Sequence, residues 1–257
     1  MAQLKVISYN VNGIRSALSK GLAEWLKQEN PDVLCLQEIK VSRPDFDPAP
    51  FEALGYHTFI FPAEKKGYSG VAIFSKIKPD CVVEGTGNKT YDAEGRNLRI
   101  DIGVSIMSAY FPSGTTGDER QEVKMNYLDF FFDYIHDLQK TRSKILVCGD
   151  YNICHREIDI HNPVSNKDAS GFKPEERAWM EKYFNSGFID TFRFFHPQQA
   201  HEYSWWSFRA NSRANNKGWR IDYIAATKNL EKKLVSATML QQVKHSDHCP
   251  VVCLLAL

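Results

Sequence analysis

The sequence lacks several features that would place it in a specialised class of protein. None of its apolar runs approaches the roughly 18 residues that a helix needs to cross a membrane. Its 32 Lys and Arg and 31 Asp and Glu leave a formal net charge of +1, which is not typical of a strongly basic nucleic-acid binder. Any contact with phosphate groups must therefore come from local clusters of Lys and Arg.

Cysteine is sparse and has no metal-binding or redox spacing. The six cysteines include no Cys-x-x-Cys pair, and Cys35, Cys148 and Cys253 lie inside apolar runs, where a thiol behaves as a small hydrophobic group. This usage predicts a reduced, intracellular protein. The first residues lead directly into a predicted strand, so we expect no signal peptide, no membrane partner and a cytoplasmic location.

The chain also has no internal repeat, low-complexity tract or linker. With 43% hydrophobic and 25% charged residues, its composition is that of an ordinary globular protein. The spacing of turn residues fits about ten short strands and a few helices. We therefore expect one α/β domain over residues 1–257, acting as a monomer.

The most informative stretch is residues 144–152, Lys-Ile-Leu-Val-Cys-Gly-Asp-Tyr-Asn. Residues 145–148 predict a strand that is buried on both faces, and Gly149 is expected to end it. Asp150 and Asn152 are two residues apart, so an extended backbone would point their side chains the same way. Such a pair could hold a metal ion, a water molecule or a phosphate oxygen, but Gly-Asp-x-Asn is equally compatible with a simple turn.

Other predicted strand ends also carry polar side chains. Asn10 and Asn12 follow the first strand, Glu38 follows the second, and Asp247 and His248 precede the last. Each group alone is also compatible with an ordinary loop or helix cap. Together they predict one site at an edge of stacked sheets. Carboxylate and amide oxygens suit Mg²⁺ or Mn²⁺ better than zinc, and a His beside an Asp suits acid–base chemistry near neutral pH.

Two further segments have a distinctive pattern. Residues 119–139 predict a long helix with an apolar stripe at helical spacing, made of Val123, Tyr127, Phe130, Phe131, Tyr134 and Leu138. Residues 203–209, Tyr-Ser-Trp-Trp-Ser-Phe-Arg, are dense in aromatic rings and precede a basic, Asn-rich loop over 210–220. Aromatic rings beside Arg suit stacking on bases or sugars next to phosphate contacts, but the tryptophans are equally compatible with core packing.

The motifs, taken in order, resemble those of a known family. They are Tyr-Asn-Val-Asn-Gly-Ile-Arg (9–15), Leu-Gln-Glu-Ile-Lys (36–40), Ala-Tyr-Phe-Pro-Ser (109–113), Gly-Asp-Tyr-Asn (149–152), Asn-Pro-x-x-Asn (162–166), Gly-Phe-x-Pro-x-Glu-Arg (171–177), Gly-Trp-Arg-Ile-Asp-Tyr (218–223) and Ser-Asp-His-Cys-Pro (246–250). Over essentially the whole chain they resemble the exonuclease III family of abasic-site endonucleases, in its bacterial form without a long N-terminal tail. Gly-Asp-x-Asn and Ser-Asp-His are shared with the wider endonuclease/exonuclease/phosphatase superfamily.

This resemblance implies a four-layered α/β sandwich, with two mixed β-sheets packed face to face and helices outside. It implies a Mg²⁺-dependent DNA repair nuclease, with Mn²⁺ as a substitute, that acts on double-stranded DNA at abasic sites and at 3′ ends. The implied metal site contains Asn10, Glu38, Asp150, Asn152, Asp247 and His248. The implied catalytic residues are Tyr110, Asp150, Asn152, Asp222, Asp247 and His248. The implied DNA contacts are Asn12, Arg15, Asn166, Trp205, Arg209, Trp219 and Ile221.

The resemblance also implies individual roles. Glu38 would be the principal metal ligand, and Asp150 would orient or deprotonate the attacking water. Asn152 would hold a water or phosphate oxygen beside it. By the same resemblance, Asp222 would pair with His248, so that the imidazolium can face a phosphate oxygen.

Three more implied roles concern the substrate. Tyr110 would place its hydroxyl at the phosphate or leaving oxygen, and Asn166 would contact a phosphate. Trp205 stands where we associate a phenylalanine with the pocket for a flipped-out sugar. Ala169 replaces an asparagine, so one phosphate contact could be missing, and Arg209 lies where a side chain could enter the groove of the DNA helix.

Two alternatives remain open at this point. The chain could be another hydrolase of the superfamily, such as a phosphoinositide phosphatase or a sphingomyelinase-like phosphodiesterase, although the apolar Trp-Arg-Ile-Asp block argues against both. It could also be a catalytically silent DNA-binding module. That reading needs a broken site, yet every motif residue with an implied catalytic role is present.

Overall fold

A computed structural model describes residues 3–256 of the chain, and twelve strands and seven α-helices form within them. The strands are β1 (Gln3–Asn10), β2 (Val33–Gln37), β3 (His57–Phe61), β4 (Val71–Ser75), β5 (Cys81–Glu84), β6 (Asn97–Asp101), β7 (Ser105–Tyr110), β8 (Ile145–Asp150), β9 (Phe188–Asp190), β10 (Asp222–Thr227), β11 (Leu234–Met239) and β12 (Val251–Ala256). The α-helices are α1 (Ile14–Ser19), α2 (Leu22–Glu29), α3 (Ala49–Glu52), α4 (Lys89–Asp92), α5 (Asp118–Gln139), α6 (Pro174–Asn185) and α7 (Thr191–Phe195). Short 3₁₀-helices occupy Arg43–Asp45, Glu157–Asp159, Arg209–Asn211 and Lys228–Lys233.

The strands form two six-stranded sheets, in the orders β11-β12-β1-β2-β4-β3 and β5-β6-β7-β8-β10-β9. Each sheet is mixed, because β1 runs parallel to β2 and β7 runs parallel to β8 while the other neighbours are antiparallel. The carboxyl ends of each parallel pair therefore emerge at one edge of their sheet, where polar side chains can gather.

Three apolar clusters define the layers. The inner faces of the two sheets share one cluster, which includes Val6, Ile73, Ile106 and Leu146. A second cluster packs the outer face of the first sheet against α1, α2 and α3, and a third packs the outer face of the second sheet against α5 and α6. This order of helix, sheet, sheet and helix confirms the predicted four-layered α/β sandwich.

The sequence-based boundaries need several corrections. Strand β8 continues through Gly149 to Asp150, because Gly149 lets the chain approach β7 closely: a Cβ at this position would lie 1.9 Å from the Ala109 carbonyl oxygen. Strand β9 and helices α1, α3, α4 and α7 were not predicted. They are short, and their apolar side chains are covered by tertiary contacts that sequence periodicity does not register.

The apolar stripe predicted for α5 matches the buried face of the helix only in part, at Tyr127 and Phe131. The buried side chains of α5 are Gln121, Lys124, Tyr127, Leu128, Phe131 and Ile135, whereas Val123, Phe130, Tyr134 and Leu138 are only partly buried. Within residues 3–256 all six cysteines are free thiols, as predicted. No helix in that range is long and apolar enough to cross a bilayer.

Candidate active site

Polar side chains from both sheets meet where β1, β2 and β8 end. Asn10 lies at the end of β1, and its Nδ2 donates to Glu38 Oε1 at 2.8 Å and to Asp150 Oδ2 at 2.9 Å. The Asn10 amide therefore bridges a carboxylate of its own sheet and one of the facing sheet. Glu38 is held in the left-handed region (φ 50°), and its side chain is 16% exposed, so it is not the freely solvated loop residue that its position after a strand would suggest.

The two Asn-containing motifs form similar turns. Asn12 and Asn152 have φ values of 45° and 54°, and their backbone N–H groups donate to Asn10 Oδ1 at 3.0 Å and Asp150 Oδ1 at 2.8 Å. Of the two readings of residues 150–152, the extended backbone and the turn, the structure shows the turn, because Asn152 lies in the left-handed region. Its side-chain amide donates to the Phe111 carbonyl at 3.0 Å. The turn itself places these polar groups at the site, so a turn and a functional role are compatible in this motif.

His248 is bonded to a carboxylate through Nδ1 and has a second carboxylate near Nε2. Its Nδ1 lies 2.8 Å from Asp222 Oδ2, and its Nε2 lies 3.8 Å from Asp150 Oδ2. Ser204 Oγ donates to the same Asp222 oxygen at 2.6 Å. Burial on its own lowers the pKa of His248, but the carboxylates of Asp222 and Asp150 outweigh burial and raise the pKa to about 10. The imidazole is therefore a cation at neutral pH.

The two nearby carboxyl groups differ in their ionisation. Burial, followed by the Asp222 carboxylate, raises the pKa of Asp150 to about 8. Burial also raises the pKa of Glu38, but the Lys40 ammonium outweighs it and the net shift is downward. Lys40 Nζ lies 2.8 Å from Glu38 Oε2. Asp150 is thus an unusually basic carboxylate beside one that is readily ionised.

This group has the composition of a metal site. Glu38, Asp150 and His248 each offer a ligand atom, and these atoms lie within 4.8 Å of one another. A cation here would favour the ionised form of Asp150, whose charge is otherwise disfavoured by burial and by neighbouring carboxylates. Because His248 is already protonated and bonded to Asp222, the two carboxylates are the better ligands of the three. The residues therefore fit a metal ion bound through oxygen.

Asp247 is beside this group but is occupied by hydrogen bonds. Its Oδ1 accepts from Asn12 Nδ2 at 2.9 Å and from Ser246 Oγ at 3.1 Å, and its Oδ2 accepts from Trp205 Nε1 at 3.0 Å. Burial raises the pKa of Asp247, but His248 and these donors outweigh it, so the pKa is lowered. Asp247 is an ionised carboxylate that ties the tryptophan to the acidic group.

The possible metal ligands and Asp247 line one cavity of about 710 Å³. One wall is apolar: the rings of Trp205 and Trp219 meet edge to face, with centroids 6.1 Å apart, and Ile221 lies beside them. The polar residues that line the cavity include Glu38, Tyr110, Asp150, Asn152, Asp247 and His248. Tyr110 is partly buried, and burial followed by the negative charge of Glu38 raises the pKa of its hydroxyl well above its ordinary value.

Several predicted DNA contacts lie outside this cavity. Asn166 turns its amide into its own loop and donates to the carbonyls of His161 and Asn162 at 3.1 and 3.0 Å. Arg15 is exposed on α1, and Arg209 is exposed on the loop that follows the Trp205 wall. Their roles stay predictions. Ala169 does line the cavity.

A buried ion pair supports the site, and sequence reasoning missed it. Lys124 on α5 is 0% exposed, and its Nζ donates to Glu176 Oε1 at 2.5 Å and to the Asn152 carbonyl at 2.8 Å. Glu176 Oε2 accepts the backbone N–H groups of Gly171 and Lys173 at 2.7 and 2.9 Å. One pair thus fixes both the Asn152 turn and the 171–173 loop at the cavity. The sequence does carry one sign of this pair, because Lys124 lies at helical spacing from Tyr127 and Phe131 on the apolar stripe of α5.

We expect Lys124→Met to destabilise the protein by about 3–5 kcal/mol, because it leaves the Glu176 carboxylate buried without its partner. Equilibrium urea denaturation measures this change. Lys140→Met, which removes an exposed lysine at the end of the same helix, is the matched control and should leave the denaturation midpoint unchanged. A Lys124→Met protein as stable as the wild type would show that Lys124 is not needed to hold this pair of loops.

Proteins of known function that are similar to this chain include nucleases with the same fold. Residues 7–248 match the endonuclease/exonuclease/phosphatase family. An exodeoxyribonuclease of Bacillus subtilis (strain 168) is 40% identical over 250 residues, covering 96% of this chain and 98% of that relative. The structure of an AP endonuclease from Archaeoglobus fulgidus is 32% identical with a TM-score of 0.90, covering 99% of this chain and 100% of that one.

A third similar protein was solved together with nucleic acid. The 3′ phosphatase NExo from Neisseria, bound to a product DNA hairpin, is 25% identical with a TM-score of 0.92, covering 99% of this chain and 100% of that one. These similarities extend over the whole fold and not only over the site. The chain therefore belongs to the endonuclease/exonuclease/phosphatase family, among its exodeoxyribonucleases and AP endonucleases.

Proposed function

We propose that this protein is a Mg²⁺-dependent DNA repair nuclease that hydrolyses the phosphodiester bond on the 5′ side of abasic sites in duplex DNA. The observation that carries the proposal is that one cavity combines the Glu38–Asp150–His248 group with the apolar wall of Trp205 and Trp219. The first part suits phosphoryl transfer, and the second suits a sugar that has lost its base. The activity would reside in one catalytic domain spanning residues 1–257.

Asp150 is the residue best suited to activate water. Its carboxylate lines the cavity and is held by Asn10 Nδ2 and the Asn152 backbone N–H, and a bound cation would keep it ionised and able to accept a proton. In the proposed step, a water oxygen bonds to phosphorus while its proton passes to Asp150. The bond from phosphorus to the 3′ oxygen breaks, and that oxygen leaves and takes up a proton from solvent water. The products carry a 3′-hydroxyl and a 5′-deoxyribose phosphate.

His248 and Asn152 are suited to the charge that develops on the phosphoryl oxygens. Asp222 fixes the imidazolium through Nδ1, so Nε2 is left to donate toward the cavity. Fixed donors aimed at developing charge in a buried site commonly give the largest catalytic contribution. Tyr110 adds a hydroxyl that stays protonated, because its pKa is raised well above its ordinary value. No covalent enzyme intermediate is required.

The metal would be held by Glu38 and Asp150, with Asn10 keeping the two carboxylates in place. Oxygen donors favour a hard cation, so we propose Mg²⁺, with Mn²⁺ as a substitute. When bound, it would supply positive charge to the phosphoryl oxygens. Asp247 would influence the metal without binding it directly, because its oxygens already accept three hydrogen bonds.

The apolar wall would select the substrate. A nucleotide without a base flips out of the duplex at low cost, because it has no pairing or stacking to lose. The edge-to-face tryptophans and Ile221 would pack against its sugar, while their bulk disfavours a nucleotide that retains its base. The similar Neisseria phosphatase supports a second activity of the same site on 3′-phosphate ends. A cytoplasmic location and a monomeric state stay predictions.

The test uses a labelled duplex with one tetrahydrofuran abasic analogue and the same duplex without the analogue. With Mg²⁺ we expect a single cut on the 5′ side of the analogue, no cut at that position in the intact duplex, and loss of cleavage in EDTA. A gel reads all three results. A ladder that shortens from the 3′ end in both duplexes would identify a 3′→5′ exonuclease instead. No cleavage with either Mg²⁺ or Mn²⁺ would overturn the proposal and favour a phosphatase acting on another substrate.

A further inference from the structure

The loop that follows the tryptophan wall has one exposed side and one buried side. We define it as residues 206–217. Phe208 is 76% exposed and Arg209 is also exposed, so both are available to a partner in solution. Trp206, at the start of the loop, is 2% exposed. The exposed pair of an aromatic ring and a cation suits contact with a nucleic acid, and in this respect the inference below rests on the proposed function.

Arg213 extends from this loop to the segment that carries the catalytic histidine. Its guanidinium donates to four backbone carbonyls of residues 241–248: Nη1 to Ser246 at 2.8 Å and His248 at 3.5 Å, and Nη2 to Gln241 at 3.0 Å and to Val243. The side chain is half-buried and makes no ion pair within residues 3–256. All of these hydrogen bonds therefore hold the backbone of residues 241–248.

Other contacts stiffen this connection. The guanidinium carbon of Arg213 lies 4.6 Å from the centroid of the Trp206 ring, and the Trp206 backbone N–H donates to the Asp247 carbonyl at 3.0 Å. On the exposed side, Ser212 Oγ donates to the Arg209 carbonyl at 2.7 Å. Arg209 and Asp247 are thus linked by a continuous set of packed and hydrogen-bonded groups that runs through Ser212, Arg213 and Trp206.

We infer that Arg213 is a positioning residue that couples the DNA-facing loop to the Asp247–His248 turn. Contact of DNA with Phe208 and Arg209 sets the position of the loop, and Arg213 transmits that position to the carbonyls that lead up to the catalytic pair and to that of His248 itself. Small errors in the placement of a catalytic group are costly, since a displacement of about 1 Å can lower a rate about 100-fold. The coupling would favour cleavage when the duplex is fully docked.

Arginine suits this role in a way that lysine does not. The guanidinium is planar and offers five N–H donors in a fixed fork, whereas the lysine ammonium is a compact point charge with three rotatable donors. Arg213→Lys keeps the charge and much of the aliphatic stem. Its single ammonium nitrogen cannot reach all of the carbonyls that Nη1 and Nη2 now bind. The substitution therefore separates the geometry of the clamp from its charge.

The experiment is a double-mutant cycle with Arg209→Ala and Arg213→Lys, read as the single-turnover cleavage rate on the abasic duplex. We expect Arg213→Lys to lower the rate on the order of 10- to 100-fold while the Kd for DNA changes less than about threefold. Arg209→Ala should weaken binding in both backgrounds, but should lower the bound-state rate only when Arg213 is present. Rate effects that simply multiply would overturn the coupling.

A readout without catalysis separates this inference from the proposed function. NMR detects the Nδ1 proton that His248 shares with Asp222, and Arg213→Lys should broaden or shift that signal whether or not any substrate is cleaved. Arg43→Lys, which alters a surface pair with Glu84, is the control and should leave it unchanged. An unaltered His248 signal in a folded Arg213→Lys protein would overturn the positioning role. If this variant does not fold, Arg213→Gln, which keeps one donor group, takes its place in the same test.

Discussion

Asp150→Asn is expected to lower the single-turnover rate on abasic duplex about 10²- to 10⁴-fold, the usual contribution of a general base. Asparagine has nearly the same shape and can still accept from the Asn152 backbone N–H, which Asp150 Oδ1 now does at 2.8 Å. It cannot take a proton from water. It also removes one of the two carboxylates that would hold the cation, so part of the loss should appear as a weaker affinity for Mg²⁺, measured as a higher Mg²⁺ concentration at half-maximal rate.

The Mg²⁺ titration separates these two contributions. If the lost rate returned at high Mg²⁺, Asp150 would be a metal ligand and not the base; a loss that persists at saturating Mg²⁺ assigns it the proton transfer. Asp137→Asn, which removes an exposed carboxylate on α5, is the matched control and should leave the rate unchanged. Circular dichroism confirms the fold of each variant. A folded Asp150→Asn protein with wild-type activity would exclude Asp150 from the chemistry.

The sequence predicted which strand ends would meet, because sheets gather the ends of neighbouring strands at one edge. It could not predict which atoms pair there. Asn10 was expected to be a metal ligand. In this structure its amide nitrogen donates to Glu38 and Asp150 and its oxygen accepts from the Asn12 backbone, an arrangement suited to supporting the two carboxylates. That choice depends on side-chain orientation across two sheets, which residue spacing does not contain.

The supporting residues were harder to predict than the acidic ones. Lys124 lies in register with Tyr127, Leu128 and Phe131, at i+3, i+4 and i+7 on one helix face, so a charged residue on a buried stripe was visible in the sequence. Its partner Glu176 is 52 residues away, and nothing local connects the two. Arg213 was hidden among the other basic residues of its loop. Its contacts with the backbone of the 241–248 segment arise only from the fold.

Asp222→Asn is expected to lower the rate by a similar factor of about 10²–10⁴, although Asp222 itself does not line the cavity and its carboxylate is bonded to His248 Nδ1. The Ser204 hydroxyl already donates to Asp222 Oδ2, so an asparagine would place its oxygen there and could turn its NH₂ toward the imidazole only by breaking that bond. Either way, the negative charge that raises the pKa of His248 is lost. Less imidazolium would then be present to donate toward the phosphate.

A second set of variants distinguishes an Asp222 that acts by keeping His248 positively charged from an Asp222 whose contact with Ser204 is purely structural. His248→Asn should lower the rate about as much as Asp222→Asn, and the double variant should be little worse than either single one, because the two residues act as a unit. Ser204→Ala removes only the hydroxyl and should have a much smaller effect. Multiplicative losses in the double variant would instead mean that Asp222 acts on the fold of β10 and that His248 holds its charge without it.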